Sequence, residues 1–229
     1  MKWLINFLTS SIGQKLVMSL TGLFLISFLL VHLIGNFQLL VNDEGDSFNS
    51  YAYFMTHNPL IKTTSYGLYF FIILHAVLGI VIALKNRAAK GIKYNKKSTA
   101  EVSWASKNMA LLGTFILAFI LIHMGDFWFK MKFTDEIAMV DVSAHDFQVK
   151  NLYYQVAYTF SNPWMVAAYC IGLATLAFHL WHGFQSAFQT LGLNHPKYMP
   201  IIDIIGKAFA VLVPLGFAII PLYYFFVLK

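Results

Sequence analysis

Five of the eight histidines, His32, His75, His123, His179 and His182, lie inside long apolar runs of this 229-residue chain. An ionisable ring in such a run is costly unless something engages it, so each one asks for a function. An imidazole can carry a proton, donate or accept a hydrogen bond, or ligate a metal. A neutral ring bonded to a neighbouring helix accounts for any one of them taken singly. Four of the five apolar segments carrying such a ring points to a shared use.

Depth sorts these rings. At a helical rise of ~1.5 Å per residue, His32 falls ~25 Å beyond Lys15 and His123 ~24 Å beyond Lys107. His75 falls ~15 Å before Lys85, and His179 ~16 Å before Thr190. The first and third segments therefore present histidines at one level, and the second and fourth at another. Two facing imidazoles are what bis-histidine haem requires, one axial nitrogen on each side of the macrocycle. Gly35, Gly79 and Gly183 follow His32, His75 and His179 by three or four residues on the same helical face, as clearance for a macrocycle or for close helix packing. No C-x-x-C-H attachment motif is present, so such haems would be non-covalent. Metal or proton transport through the spans would favour buried carboxylates, and the acidic residues here lie at span ends or in loops.

The elements that must position these rings are membrane helices. The composition is 59% hydrophobic and 11% charged, with a mean hydropathy of +0.65, too apolar for a water-soluble domain of this length. Five segments can cross ~30 Å of hydrocarbon: about Lys15–Val41, Thr64–Leu84, Met109–Phe129, Pro163–Gln189 and Ile204–Leu228. Nothing alternates with period two, so helices are expected rather than barrel strands. The opening "MKWLINFLTSSIGQK" reads as an interfacial amphipathic helix, not a cleavable signal peptide. The single cysteine, Cys170, rules out an intrachain disulfide or a thiolate-held cluster. Without Pro-, Gly- or Ser-rich linkers or internal repeats, residues 1–229 read as one membrane domain.

Placing the N-terminus inside gives the inner segments eleven basic residues against two acidic, and the outer segments five against eight. That asymmetry predicts N-terminus in and C-terminus out, and assigns the net charge of +6 to topology rather than to nucleic acid. The inner loop from Lys85 to Lys107 holds seven basic residues, suited to anionic lipid or to a docked soluble partner. Trp104, Trp128 and Trp164 mark span ends. Pro214 and Pro221 are expected to kink the fifth helix.

The stretches "LLVHLIGN", "FIILHAVLGI", "LAFILIHMGDFW" and "ATLAFHLWHGFQSAFQTLG", with "FNSYAYFM" before the second span, resemble the dihaem cytochrome b membrane anchor of bacterial succinate dehydrogenases and fumarate reductases. The resemblance covers essentially the whole chain. It implies an all-α, five-helix, multi-pass protein of the bacterial cytoplasmic membrane, four of whose helices form a haem-binding bundle. The implied cofactors are two haem b groups, an inner one held by His75 and His179 and an outer one held by His32 and His123. The "FH...G" pattern puts the ligand at His179 rather than at His182, which is left to a propionate, a partner subunit or packing. The implied partners are an iron–sulfur subunit and a flavoprotein on the cytoplasmic side, membrane lipid and quinone, with menaquinone the expected kind.

The implied function is electron transfer between the iron–sulfur subunit and quinone, with the dicarboxylate chemistry left to the partners. Candidate quinone contacts are Asn36, Gln38, Asn49, Tyr53, Asp126 and Trp128. Asp126 also reads as a partner of His123 or as a solvated helix end. Candidate propionate contacts are Ser19, Thr21, Ser103, Lys107 and His182. Some family members carry a carboxylate two residues before the fourth ligand, where this chain has Ala177, so proton movement through that position is not expected. Two alternatives stay open: the cytochrome b of a membrane hydrogenase or formate dehydrogenase, and a haem-free transporter lined by histidines.

Overall fold

Several of the helix starts are set by short polar side chains. The Ser10 hydroxyl accepts from the Gly13 N–H at 3.1 Å, the Asn58 carbonyl oxygen accepts from Leu60 and Ile61, and Asn162 accepts from Trp164 just before Pro163. Each satisfies backbone donors that the first helical turn leaves open. The computed structural model describes residues 2–89 and 104–228 and is about 82% helical. In chain order the elements are α1 (Lys2–Thr9), α2 (Ser11–Asn36) with a 3-10 turn (Phe37–Leu40), α3 (Asp46–His57), α4 (Pro59–Ala89) and α5 (Trp104–Lys107). Then come α6 (Met109–His123), a π-helical turn (Met124–Phe129), α7 (Lys130–Phe133), β1 (Met139–Val140), β2 (Val149–Lys150), α8 (Leu152–Phe160), α9 (Pro163–Thr190) and α10 (Met199–Phe226).

Five helical runs are long and apolar enough to cross a membrane: Ser11–Leu40, Pro59–Ala89, Met109–Phe133, Pro163–Thr190 and Met199–Phe226. Several extend past the stretches marked by hydropathy. The apolar core marks only the hydrocarbon, whereas backbone hydrogen bonding continues through polar ends such as residues 59–63. Pro214 and Pro221 are buried within α10, which remains one continuous helix through both. On α1 every described side chain from Lys2 to Thr9 is exposed, Trp3 at 73% and Ile5 at 60%.

The packing order of the spans decides which histidines can meet. α2 packs against α4 and α9, and α6 packs against the same two helices. The four close into a ring in the order α2, α4, α6, α9, so that α2 faces α6 across one diagonal and α4 faces α9 across the other. α10 lies outside the ring, chiefly against α9. Within the ring α4 buries only Leu68 and α6 only Leu112, among described residues.

The densest apolar packing sits at one end of the bundle. There α3, α8 and the antiparallel β1–β2 pair form a cap. Leu39, Phe48, Val156, Phe160, Val166, Tyr169, Ile220 and Tyr224 make one continuous core beneath it. The Tyr224 hydroxyl donates to the Leu39 carbonyl at 2.9 Å and ties α10 to the turn after α2. The connection before β1 turns on Lys150, whose ammonium donates to the Met131 and Thr134 carbonyls at 2.9 and 2.8 Å and completes the C-terminal end of α7. The β pair leaves no mark in the sequence, because two residues per strand are too few to alternate visibly.

Candidate functional site: two histidine pairs across the bundle

On the cap side, His32 of α2 and His123, the last residue of α6, face each other across one diagonal with ring centroids 5.8 Å apart and planes at 80°. On the far side, His75 of α4 and His179 of α9 do the same across the other diagonal, at 6.3 Å and 70°. Neither pair joins helices that are ring neighbours. The levels that counting residues proposed therefore correspond to two pairs of rings in contact.

Aromatic side chains enclose the cap-side pair. His32 stacks on Phe28 one turn earlier at 5.2 Å and meets Phe217 of α10 at 5.4 Å. His123 is bordered by Phe119, Phe127 and Tyr169. The Tyr169 hydroxyl lies 3.4 Å from His123 Nδ1. Asn36 donates to the His32 carbonyl at 2.9 Å and holds its amide nitrogen 3.3 Å from the His32 ring.

The far-side pair is held by smaller groups. His75 Nδ1 lies 3.0 Å from the hydroxyl of Thr21, a buried residue of α2. Gly22 stands beside it, where an added Cβ would come 3.3 Å from His75 Cε1. His179 Nδ1 is buried without a hydrogen-bond partner among the described residues. In front of Gly79 the nearest atom to an added Cβ is the Met18 methyl at 3.7 Å, and in front of Gly183 nothing lies within 4 Å. Gly35 differs: an added Cβ would fall 2.5 Å from the Tyr51 ring, so its missing side chain makes room for a phenol rather than standing clear.

The remaining candidates do not converge on one point. Asn49, 2% exposed, uses both ends of its amide to pin the cap, donating to Asn151 Oδ1 at 3.2 Å and accepting from the Tyr153 N–H at 3.0 Å. Tyr53 stacks on His57 at 4.0 Å and meets His145 and Phe147. Gln38 is half-buried in the 3-10 turn. Trp128 packs edge-on against Tyr69 of α4 and Phe133.

Asp126 lies in the π turn, with Oδ2 buried and unpartnered among the described residues and Oδ1 3.9 Å from Lys130. Its backbone carbonyl accepts from the buried Gln155 side chain at 3.2 Å.

On the far side, the Ser19 hydroxyl is bonded to the Lys15 carbonyl and Thr21 is occupied with His75. Lys107 is exposed at the end of α5, and His182 is half-buried one turn from His179. Ser103 lies outside the described residues.

Sequence reasoning missed Tyr169 and Gln155 and gave Thr21 a different task. A helical offset was the available signal: Thr21 precedes His32 by 11 residues and Tyr169 precedes His179 by 10, placing each roughly 15 Å along its helix from its own histidine.

The two centroid separations, 5.8 and 6.3 Å, can be set against the spacing of two imidazoles that share one metal. A metal–imidazole bond of about 2 Å on each side, added to the radius of each ring, puts two axial imidazole centroids roughly 6 Å apart. No third His, Cys, Asp or Glu joins either pair among the described residues. No protein-family model, curated protein or solved structure matches the chain.

Proposed function

We propose that this chain is the membrane anchor and electron-transfer subunit of a succinate:quinone oxidoreductase of the bacterial cytoplasmic membrane. It would hold two b-type haems and pass electrons between a cytoplasmic iron–sulfur subunit and membrane quinone. The observation that carries the haem reading is the pair of diagonals: two imidazoles at each level, spaced for one metal, with no further protein ligand among the described residues. A bare zinc or iron site wants three or more protein ligands. Two suffice only for an iron that brings its four equatorial nitrogens in a macrocycle. The open space before Gly183 and the unpartnered His179 Nδ1 fit such a group. The choice of succinate:quinone oxidoreductase rests on the resemblance of the histidine motifs.

In this reading His75 and His179 would hold the inner haem, and His32 and His123 the outer one. Bound haem supplies reversible one-electron transfer, and the chain does the rest. Thr21 on α2 and Tyr169 on α9 fall roughly 15 Å along their helices from His32 and His179, so the two levels are stacked along the membrane normal. Phe28, Phe119, Phe127 and Phe217 keep water from the outer pair. Asp126 Oδ2 is a carboxylate oxygen available at that level to hold a proton during quinone turnover. The cap of α3, α8 and the β pair covers this outer end, which leaves the opposite end of the bundle, where Lys85 and Lys107 lie, to the cytoplasmic partners.

A reduced-minus-oxidised optical spectrum of the purified chain tests the haem reading, and absence of b-type bands ends it. Copurification of a flavoprotein and an iron–sulfur protein separates a succinate:quinone oxidoreductase from a hydrogenase or formate dehydrogenase.

A further inference from the structure

α2 and α9 each serve both levels of the bundle. α2 contributes His32 to the cap-side pair and sets Thr21 against His75 of the far pair. α9 contributes His179 to the far pair and sets Tyr169 against His123.

The contact at Thr21 has a chemical direction. A threonine hydroxyl has one proton to give. Thr21 Oγ1 lies 2.9 Å from the Val17 carbonyl and 3.0 Å from that of Met18, both pure acceptors on its own helix. With its proton committed there, the oxygen offers only lone pairs to His75 Nδ1 at 3.0 Å. His75 then carries its proton on Nδ1, on the side where the Met18 backbone also accepts from the ring, and leaves Nε2 bare. A bare nitrogen is what a metal requires, and the hydrogen bond donated from the opposite nitrogen strengthens the ring as an electron donor. Gly22 confines the same ring from the next position of α2. The opposing ring, His179, has no such partner at Nδ1 among the described residues. The far-side pair is therefore asymmetric, with one ring fixed from another helix.

We infer that Thr21 is a positioning residue for His75: its hydroxyl selects the metal-binding tautomer of that ring and, through it, tunes the potential of the inner haem. This rests on the proposed function. Removing the acceptor weakens the ring as a donor and stabilises the oxidised iron less, so the potential of that haem rises. Thr21→Val removes the hydroxyl at nearly constant shape, and Thr21→Ser restores it.

The test is a potentiometric titration of both b haems in the purified full chain, repeated in the His123→Ala background, where only the inner haem is expected. In Thr21→Val one potential moves upward, the other stays, and the mover is the haem that survives His123→Ala. Thr21→Ser returns it to the wild-type value. If Thr21→Val sheds the inner haem, retention of that haem at its normal potential in Thr21→Ser still supports the role of the hydroxyl.

Unchanged potentials in a two-haem Thr21→Val protein overturn the inference and leave the haem reading standing. So does an equal shift or loss in Thr21→Ser, which would make Thr21 a matter of packing. Wild-type protein without b-type absorption defeats the proposed function itself, before any substitution is made.

Discussion

The imidazoles of His32 and His123 meet nearly at right angles, 5.8 Å apart, although α2 and α6 face each other across the ring rather than packing as neighbours. The far-side rings repeat this across the other diagonal. In a four-helix ring the diagonal is the widest gap, so a group held there touches all four helices.

If each diagonal holds one haem as proposed, haem loss is pairwise. Replacing His32 or His123 with alanine should remove the same one of two haems, and the double variant should lose no more than either single one. His75 and His179 should behave likewise for the other. His182→Ala should keep both. The haem-to-protein ratio of each purified variant checks the set, and loss of a haem from His182→Ala would reassign the fourth ligand.

The glycines separate by what stands before them. Gly183→Leu adds a side chain where nothing lies within 4 Å, so it should leave the bundle folded and lower occupancy of the far-side haem alone. Gly35→Ala meets the Tyr51 ring instead and should cost about 1–3 kcal/mol of stability, a typical penalty for overpacking. Thermal unfolding in detergent, beside haem content, tells the two apart.

Asn49 is the pin of the cap. Truncation to alanine leaves the Tyr153 N–H without its partner, while Asn151 keeps its bond from the Tyr154 N–H, at a cost of about 1–3 kcal/mol for the unsatisfied donor. Asn49→Ala should therefore lower the unfolding temperature while both haems remain. A normal melting curve with altered quinone kinetics would instead return Asn49 to the quinone contacts.

Asp43 gives the cap a pH dependence. Hydrogen bonding from the Ser47 side chain, followed by the Ser47 and Gly45 N–H groups, holds its carboxyl below the usual carboxylate range. A depressed folded-state value means that stability is present above the unfolded value and lost as pH falls through the folded one. Asp43→Asn should melt below wild type at neutral pH and match it in acid. A gap between their melting temperatures that does not narrow on acidification would contradict this.

The levels of the histidines could be read from the chain because two of its rulers are simple. Hydrocarbon thickness fixes the length of a span, and the helical rise fixes the depth of His32 or His75 within it. The ring order of the helices is not written in either, so the sequence could not say that Thr21 would face His75 or Tyr169 face His123. Asn49 looked like an interfacial contact because its partners, Asn151 and Tyr153, lie a hundred residues away in another part of the cap. Gly35 followed the spacing of its fellows, yet its environment was decided by Tyr51, which no period places. Hydropathy also had no means of finding the π turn, since widening a turn changes no residue type.

That turn, Met124–Phe129, has a consequence for how the chain tolerates change in length. Elsewhere in a span, deleting one residue swings everything beyond it by about 100° and turns the buried face outward. Here a helix already carrying one residue too many for its ladder could lose one and close into ordinary α geometry. What it would forfeit is the carbonyl of Asp126 that Gln155 now reaches. Between His123 and Lys130 the third span thus has a built-in point for deletion, where the chain can shorten by one residue while His123 keeps its place opposite His32.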